Sequence, residues 1–137
     1  MNYLLDTATW INSVKEPETL PRRIRAWLAD TARHTFSLAD ISLLEASFLA
    51  RKGRVDFGMP FRDWVDLALA EDLTLLPITA TIAVIEHELP RAFQGDPADR
   101  LIVATAKAHA LTLITPDPEI AFHEVVSVVR YRWHPRR

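Results

Sequence analysis

The segment Asp96 to Asp117, DPADRLIVATAKAHALTLITPD, carries a helix start, a helix and a strand in one uninterrupted pass. Asp96 followed by Pro97 has the pattern of an N-cap with proline at the first helical position, where its missing N–H is one that no helix uses. The helix then runs on through LIVATAKAHA. Leu111 to Thr115 is short, apolar and rich in β-branched residues, which reads as a strand, and an acid, Asp117, stands just past its end. The first residues have the same design. Tyr3-Leu4-Leu5 is a strand-like run closed by Asp6-Thr7, after which Trp10, Ile11 and Val14 recur at helical spacing.

Between these two ends, strands and helices continue to alternate. Leu20 to Ala32 places Leu20, Ile24, Trp27 and Leu28 on one face and Arg22, Arg23 and Arg25 elsewhere, an amphipathic helix. Thr35-Phe36-Ser37 reads as a second strand. Asp40 to Lys52 is a helix with Ile41, Leu44, Phe48 and Leu49 at helical spacing and Gly53 placed to stop it. Phe61 to Ala70 is a further helix, Leu73 to Ile78 a strand, Ala80 to Leu89 a helix ended by Pro90, and Val125 to Val129 a last strand. Such alternation favours a mainly parallel sheet covered on both faces. The expectation is an α/β/α sandwich spanning residues 1–137 as one domain.

Composition narrows the chemistry. The 137 residues are 49% hydrophobic, enough for one compact core, and contain no cysteine, so any metal must be held by oxygen or imidazole. No apolar run is long enough to span a bilayer and the start lacks the features of a signal peptide, so a cytoplasmic, soluble protein with no membrane partner is expected. A formal charge of −2 gives no global attraction to a polyanion, so nucleic acid would need a local basic patch.

Four acids stand out by position. Asp6 and Asp117 follow strands, so both belong at the carboxyl edge of the sheet, where open α/β sheets bind ligands near the reversal of strand order. Asp99 lies in the first turn of its helix. Glu45 lies near the buried face of its own helix, where glutamate is uncommon. Each also has an ordinary explanation. Asp6 and Asp117 fit N-caps, the latter because Pro118 follows; Asp99 after Asp96 fits a capping box; Glu45 fits a helix edge from which it reaches water.

Taken together, the flanking residues resemble the PIN-domain nucleases, in particular the toxins of VapBC-type toxin–antitoxin pairs. YLLDT at Tyr3 to Thr7, ISLLEA at Ile41 to Ala46, DPADRLIVATA at Asp96 to Ala106 and LITPD at Leu113 to Asp117 resemble that family's four motifs in order. The resemblance implies a toxin endoribonuclease that hydrolyses RNA at Asp6, Glu45, Asp99 and Asp117 with Mg²⁺ or Mn²⁺. It also implies a small cognate antitoxin protein as partner, a homodimer, and Thr115 hydrogen-bonding into the cluster. The flanking Pro116 and Pro118 depart from the pattern and stiffen the backbone at Asp117. The alternatives are a non-catalytic PIN module binding RNA or protein, and a stand-alone RNA-processing nuclease. Clustered carboxylates raise one another's pKa, whereas a hard divalent cation lets them ionise together, so the residue chemistry fits metal ligation.

Other chemistries are poorly supported. His87-Glu88 begins like a zinc-protease motif but meets Pro90 and Arg91, and three glycines, Gly53, Gly58 and Gly95, cannot assemble a P-loop or dinucleotide fingerprint. Asp6 lacks the second aspartate two residues later that an aspartyl-phosphate enzyme needs, since that position is Ala8. Among basic groups, Arg22/Arg23/Arg25 and Arg51/Lys52/Arg54 read as solvated faces. Arg100 beside Asp99, and the tail Arg130/Arg132/Arg136/Arg137 with Tyr131 and Trp133 between, are the candidates for RNA contact.

Overall fold

The computed structural model describes residues 1–69, 72–90, 96–117 and 125–133. Five strands, β1 (Asn2–Leu5), β2 (Thr35–Ala39), β3 (Leu73–Leu76), β4 (Thr112–Thr115) and β5 (Val128–Arg130), form one sheet in the order β3-β2-β1-β4-β5. Every pairing is parallel. From β1 the chain steps outward through β2 and β3, then crosses back to lay β4 on the other side of β1. Strand order therefore reverses between β1 and β4, and the crevice opens at their carboxyl ends.

Both faces are covered. Tyr3, Leu5, Phe36, Leu38 and Ile114 point to one side, against Trp10 and Ile11 of α1 (Thr7–Lys15), Ile24 of α2 (Arg22–Ala29), Ala46 of α3 (Ile41–Arg51) and Trp64 of α4 (Phe61–Ala68). Leu4, Ala39 and Leu113 point to the other, against Ile102, Val103 and Ala106 of α6 (Pro97–Ala108), on which α5 (Ala80–Glu88) lies. Because neighbours along β1 serve opposite cores, its sequence is apolar without alternation. Burial of each large side chain, Trp10 and Trp64 among them, contributes about 1.5–3 kcal/mol. Their rings lie 5.0 Å apart, and the Trp10 indole N–H donates to the Ala68 carbonyl at 3.1 Å.

Several boundaries differ from expectation. The helix expected over Leu20 to Ala32 is α2, Arg22–Ala29, preceded by a 3-10 turn at Pro17–Thr19. Pro21 holds Leu20 in extended backbone, which delays the helix start. β2 runs on to Ala39, β3 stops at Leu76, and the last strand is Val128–Arg130 rather than Val125 to Val129. Helix α6 ends in a Schellman turn: Leu111 N–H donates to Ala106 O at 2.9 Å, Ala110 N–H to Lys107 O at 3.3 Å, and Ala110 takes a left-handed φ of 53°.

Candidate active site

Asp6 sits where β1 becomes α1. Its backbone N–H continues the β1–β4 ladder to Ile114 O at 3.2 Å, and its side chain caps α1 by accepting from Thr9 N–H at 2.8 Å through Oδ1. The other oxygen, Oδ2, accepts from the Thr115 hydroxyl at 2.5 Å. Capping and membership of the site are thus compatible for this residue. That single hydroxyl proton is spent on Asp6, so Thr115 Oγ1 is the acceptor for Asp117 N–H at 3.1 Å. Thr115 therefore joins Asp6 to Asp117 across the β1–β4 crevice.

Glu45 reaches the same place from α3. Rather than extending to water it is partly buried and accepts from the Thr7 hydroxyl, which in turn stands 2.8 Å from Ser42 Oγ. With Thr7 donating to the carboxylate, the Ser42 hydroxyl donates to Thr7. Asp99 arrives on the first turn of α6, whose start is set by Asp96: Oδ1 of Asp96 accepts from Asp99 N–H at 2.8 Å, and Pro97 occupies the first helical position. The side chain of Asp99 is left to face the other acids.

Electrostatics mark the convergence. Burial pushes the Asp6 carboxyl above its usual range against the pull of its hydrogen bonds from Thr115 and Thr9, with the Asp117 charge adding to the rise. Glu45 is raised chiefly by burial, then by Asp96 and Asp6. Asp99 is raised to about 7, first by burial and then by the charges of Asp96, Glu45, Asp117 and Asp6. The four acids singled out in the sequence thus repel one another in one place, and Asp96 is a fifth member. Among the described residues no three histidine, aspartate or glutamate side chains are already closed around a point that would hold an ion. The acids are gathered, with Asp6 and Glu45 turned to threonine donors.

The structure places two of the candidates for RNA contact. Arg100 turns away from Asp99 toward α5: its Nε donates to Glu86 Oε1 at 2.7 Å and its guanidinium to Glu86 O at 2.9 Å, tying α6 to α5. Tyr131 cannot stack on a base. It is 4% exposed, packed in the core on the α1 side, with its phenol 2.9 Å from Thr9 Oγ1. Trp133 is exposed, while His134 to Arg137, and the capping of any helix after Asp117, lie outside the described residues. Arg23 donates to Arg130 O at 3.3 Å and lies over Trp27, and Arg51 lies over Phe48; both sit on the exposed faces expected of their clusters.

Thr7, Ser42 and Thr9 were not singled out from sequence, although Thr7 adjoins Asp6 and Ser42 precedes Glu45 by one helical turn. Hydroxyls one turn from an acid are a signal, but one too common to be read alone.

Comparison with known proteins agrees with this geometry. The PIN domain profile matches residues 3–130. Ribonuclease VapC22 of Mycobacterium tuberculosis is 35% identical over 105 residues, covering 75% of this chain and 80% of the relative. Among solved structures, VapBC2 from Rickettsia felis bound to a DNA fragment from its promoter matches with a TM-score of 0.69 at 18% identity, over 98% of this chain and 100% of that one. A toxin–antitoxin complex from Klebsiella pneumoniae matches with a TM-score of 0.70 at 23% identity, over 95% and 98%. Sheet order, acid placement, family profile and a relative of this identity agree, and the chain belongs to the PIN-domain family, with the VapC-type proteins among its relatives.

Proposed function

We propose that the chain is the endoribonuclease toxin of a toxin–antitoxin pair, a single-domain hydrolase that cuts RNA phosphodiesters with Mg²⁺ or Mn²⁺ at Asp6, Glu45, Asp99 and Asp117. The observation that carries this reading is that Thr115 joins Asp6 to Asp117 across the β1–β4 crevice while Thr7, next to Asp6, holds Glu45, with Asp99 near enough for the charges of all three to raise it. Such a set is costly as four anions and suits a hard divalent ion, because oxygen donors of this kind ionise together only around positive charge. When bound, the ion supplies charge stabilisation at the phosphorus and makes a coordinated water more acidic. The chain's own part is to hold the donors still. Thr9 and Thr115 fix both oxygens of Asp6, and Thr7, backed by Ser42, fixes Glu45.

RNA as substrate is supported by the name of the relative, a ribonuclease. An antitoxin as partner is supported by the solved toxin–antitoxin complex of like fold, and a cytoplasmic place of work is part of the same proposal. A second copy is the reading for the apolar side chains that α3, α5 and the segment before α5 leave in water, Leu44 at 50% exposed, Phe48 at 42%, Ile78 and Val84. The test is cleavage of single-stranded RNA, single-stranded DNA and a phosphomonoester with Mn²⁺ or chelator. RNA alone is expected to be cut, only with metal, and Asp6→Asn, which keeps a capping side chain, is expected to lower the rate at least about 10²-fold. RNA left intact by wild type while still bound would point to a non-catalytic module, and undiminished cutting by the variant would refute the assignment of the site.

A further inference from the structure

Asp6 is gripped from two sides, and one residue far along the chain grips both holders. Thr9 gives its N–H to Oδ1 and Thr115 its hydroxyl to Oδ2. Tyr131, the first residue after β5, donates its backbone N–H to Thr115 O at 3.2 Å and places its phenol 2.9 Å from Thr9 Oγ1. Thr9 Oγ1 has one proton, and it goes to Ile114 O at 3.2 Å, so the phenol is the donor. Burial and the nearby Asp6 charge raise the phenol's pKa, so it keeps that proton throughout the physiological range.

We infer that Tyr131 is a positioning residue for Asp6, acting through Thr9 and Thr115 to fix both carboxylate oxygens in the direction a metal ion must meet. The chain Tyr131 O–H to Thr9 O–H to Ile114 C=O runs through buried side chains and locks the first turn of α1 to β4. Without the phenol proton, the Thr9 hydroxyl loses one of its two partners, and the turn that presents its N–H to Asp6 is tied to β4 only by the Thr9 bond to Ile114 O and the ladder. Rotation of the Asp6 carboxylate by a few tenths of an ångström is enough to matter, because ligand orientation controls metal affinity strongly. This inference rests on the proposed metal site, but the experiment below reads metal binding apart from catalysis.

Mn²⁺ binding to the full chain is measured by calorimetry for wild type, Tyr131→Phe, Thr9→Val and the double variant, beside Ile24→Val, a core change in the same apolar cluster whose side chain makes none of these bonds. RNA cleavage is measured in parallel. Tyr131→Phe and Thr9→Val are each expected to weaken Mn²⁺ binding by about tenfold. The double variant should be no weaker than the poorer single variant, since both remove one chain of bonds. Ile24→Val should lower the melting temperature and leave Mn²⁺ affinity unchanged. Where wild type cleaves RNA, kcat at limiting Mn²⁺ should fall in step with affinity while KM for RNA stays put. Mn²⁺ affinity of Tyr131→Phe within twofold of wild type, additive losses in the double variant, or an equal loss in Ile24→Val would each overturn the inference. Wild type that binds Mn²⁺ without cutting RNA would refute the proposed function and leave the positioning role to be decided by affinity alone.

Discussion

Replacing Asp99 by asparagine should make the metal-free protein more stable at alkaline pH, because the substitution removes a charge that the fold disfavours. Asp99 is raised from 3.8 to about 7. At 1.36 kcal/mol per unit that rise corresponds to about 4 kcal/mol for a fully buried group. Asp99 is only part-buried, and screening by solvent reduces the effect to about 1–2 kcal/mol. A folded pKa above the unfolded one means the protonated form is favoured by folding, so the associated stability is complete below about pH 4 and is lost as pH rises through about 7. The variant cannot ionise and escapes that loss. It gives up a favourable charge in the first turn of α6, about 0.3–1 kcal/mol, and keeps the backbone N–H bond to Asp96. The net gain at pH 8 is about 1 kcal/mol, or roughly 3–5 °C in melting temperature. Melting in chelator at pH 4.5 and pH 8, then with Mn²⁺ at a hundredfold excess over its dissociation constant, tests this directly. Metal should stabilise the wild type by about 2.7 kcal/mol and the variant by much less. A variant that melts below wild type at pH 8 without metal, or an equal Mn²⁺ shift in both proteins, would refute the reasoning.

Protons and metal compete for the same acids, so Mn²⁺ affinity should climb by up to about tenfold per pH unit below 7 and level off above, read by calorimetry in matched buffers. Arg100→Ala should cost about 1.5–3 kcal/mol of stability by freeing Glu86 on α5, while the salt dependence of RNA binding stays as in wild type; a shallower salt slope would return Arg100 to the RNA surface. Ala110→Gly should raise stability by about 0.5–1 kcal/mol in thermal melts, because the left-handed φ at the end of α6 carries a Cβ penalty there.

What could be read from the chain follows from how far each signal reaches. Strand, acid and helix are neighbours in sequence at Asp6, and the apolar run of β4 ends two residues before Asp117, so their placement at the carboxyl edge was legible. The α6 start was as well, because Asp96-Pro97 is a local capping signal that the structure uses. Glu45 was harder. Helical spacing put it between the buried and the open face of α3, and only the approach of Thr7 decides its direction. The directions of Arg100 and Tyr131 were not legible, because adjacency in sequence is not adjacency in space: Arg100, next to Asp99, pairs with Glu86 on α5, and the parallel register of β5 on β4 carries Tyr131 inward. The late start of α2 turned on Pro21, whose restriction of Leu20 shortened an otherwise continuous amphipathic pattern.

The crossing of the sheet has a bearing on when the protein becomes itself. β1 is made before the other four strands, yet one of its two neighbours is β4, and the bond that orients Asp6 joins residues 109 positions apart. A ribosome delivers the chain from its amino end, so β1, β2 and β3 are available for pairing well before Thr115 has been polymerised. During that interval Asp6 lacks the hydroxyl on Oδ2, and Asp99 and Asp117 are still to come. The centre therefore assembles only after Thr115 and Asp117 have joined the strands made before them. A growing chain held beside the ribosome's own RNA carries, from the making of Asp6 until Thr115 emerges, the parts of this site in an unjoined state.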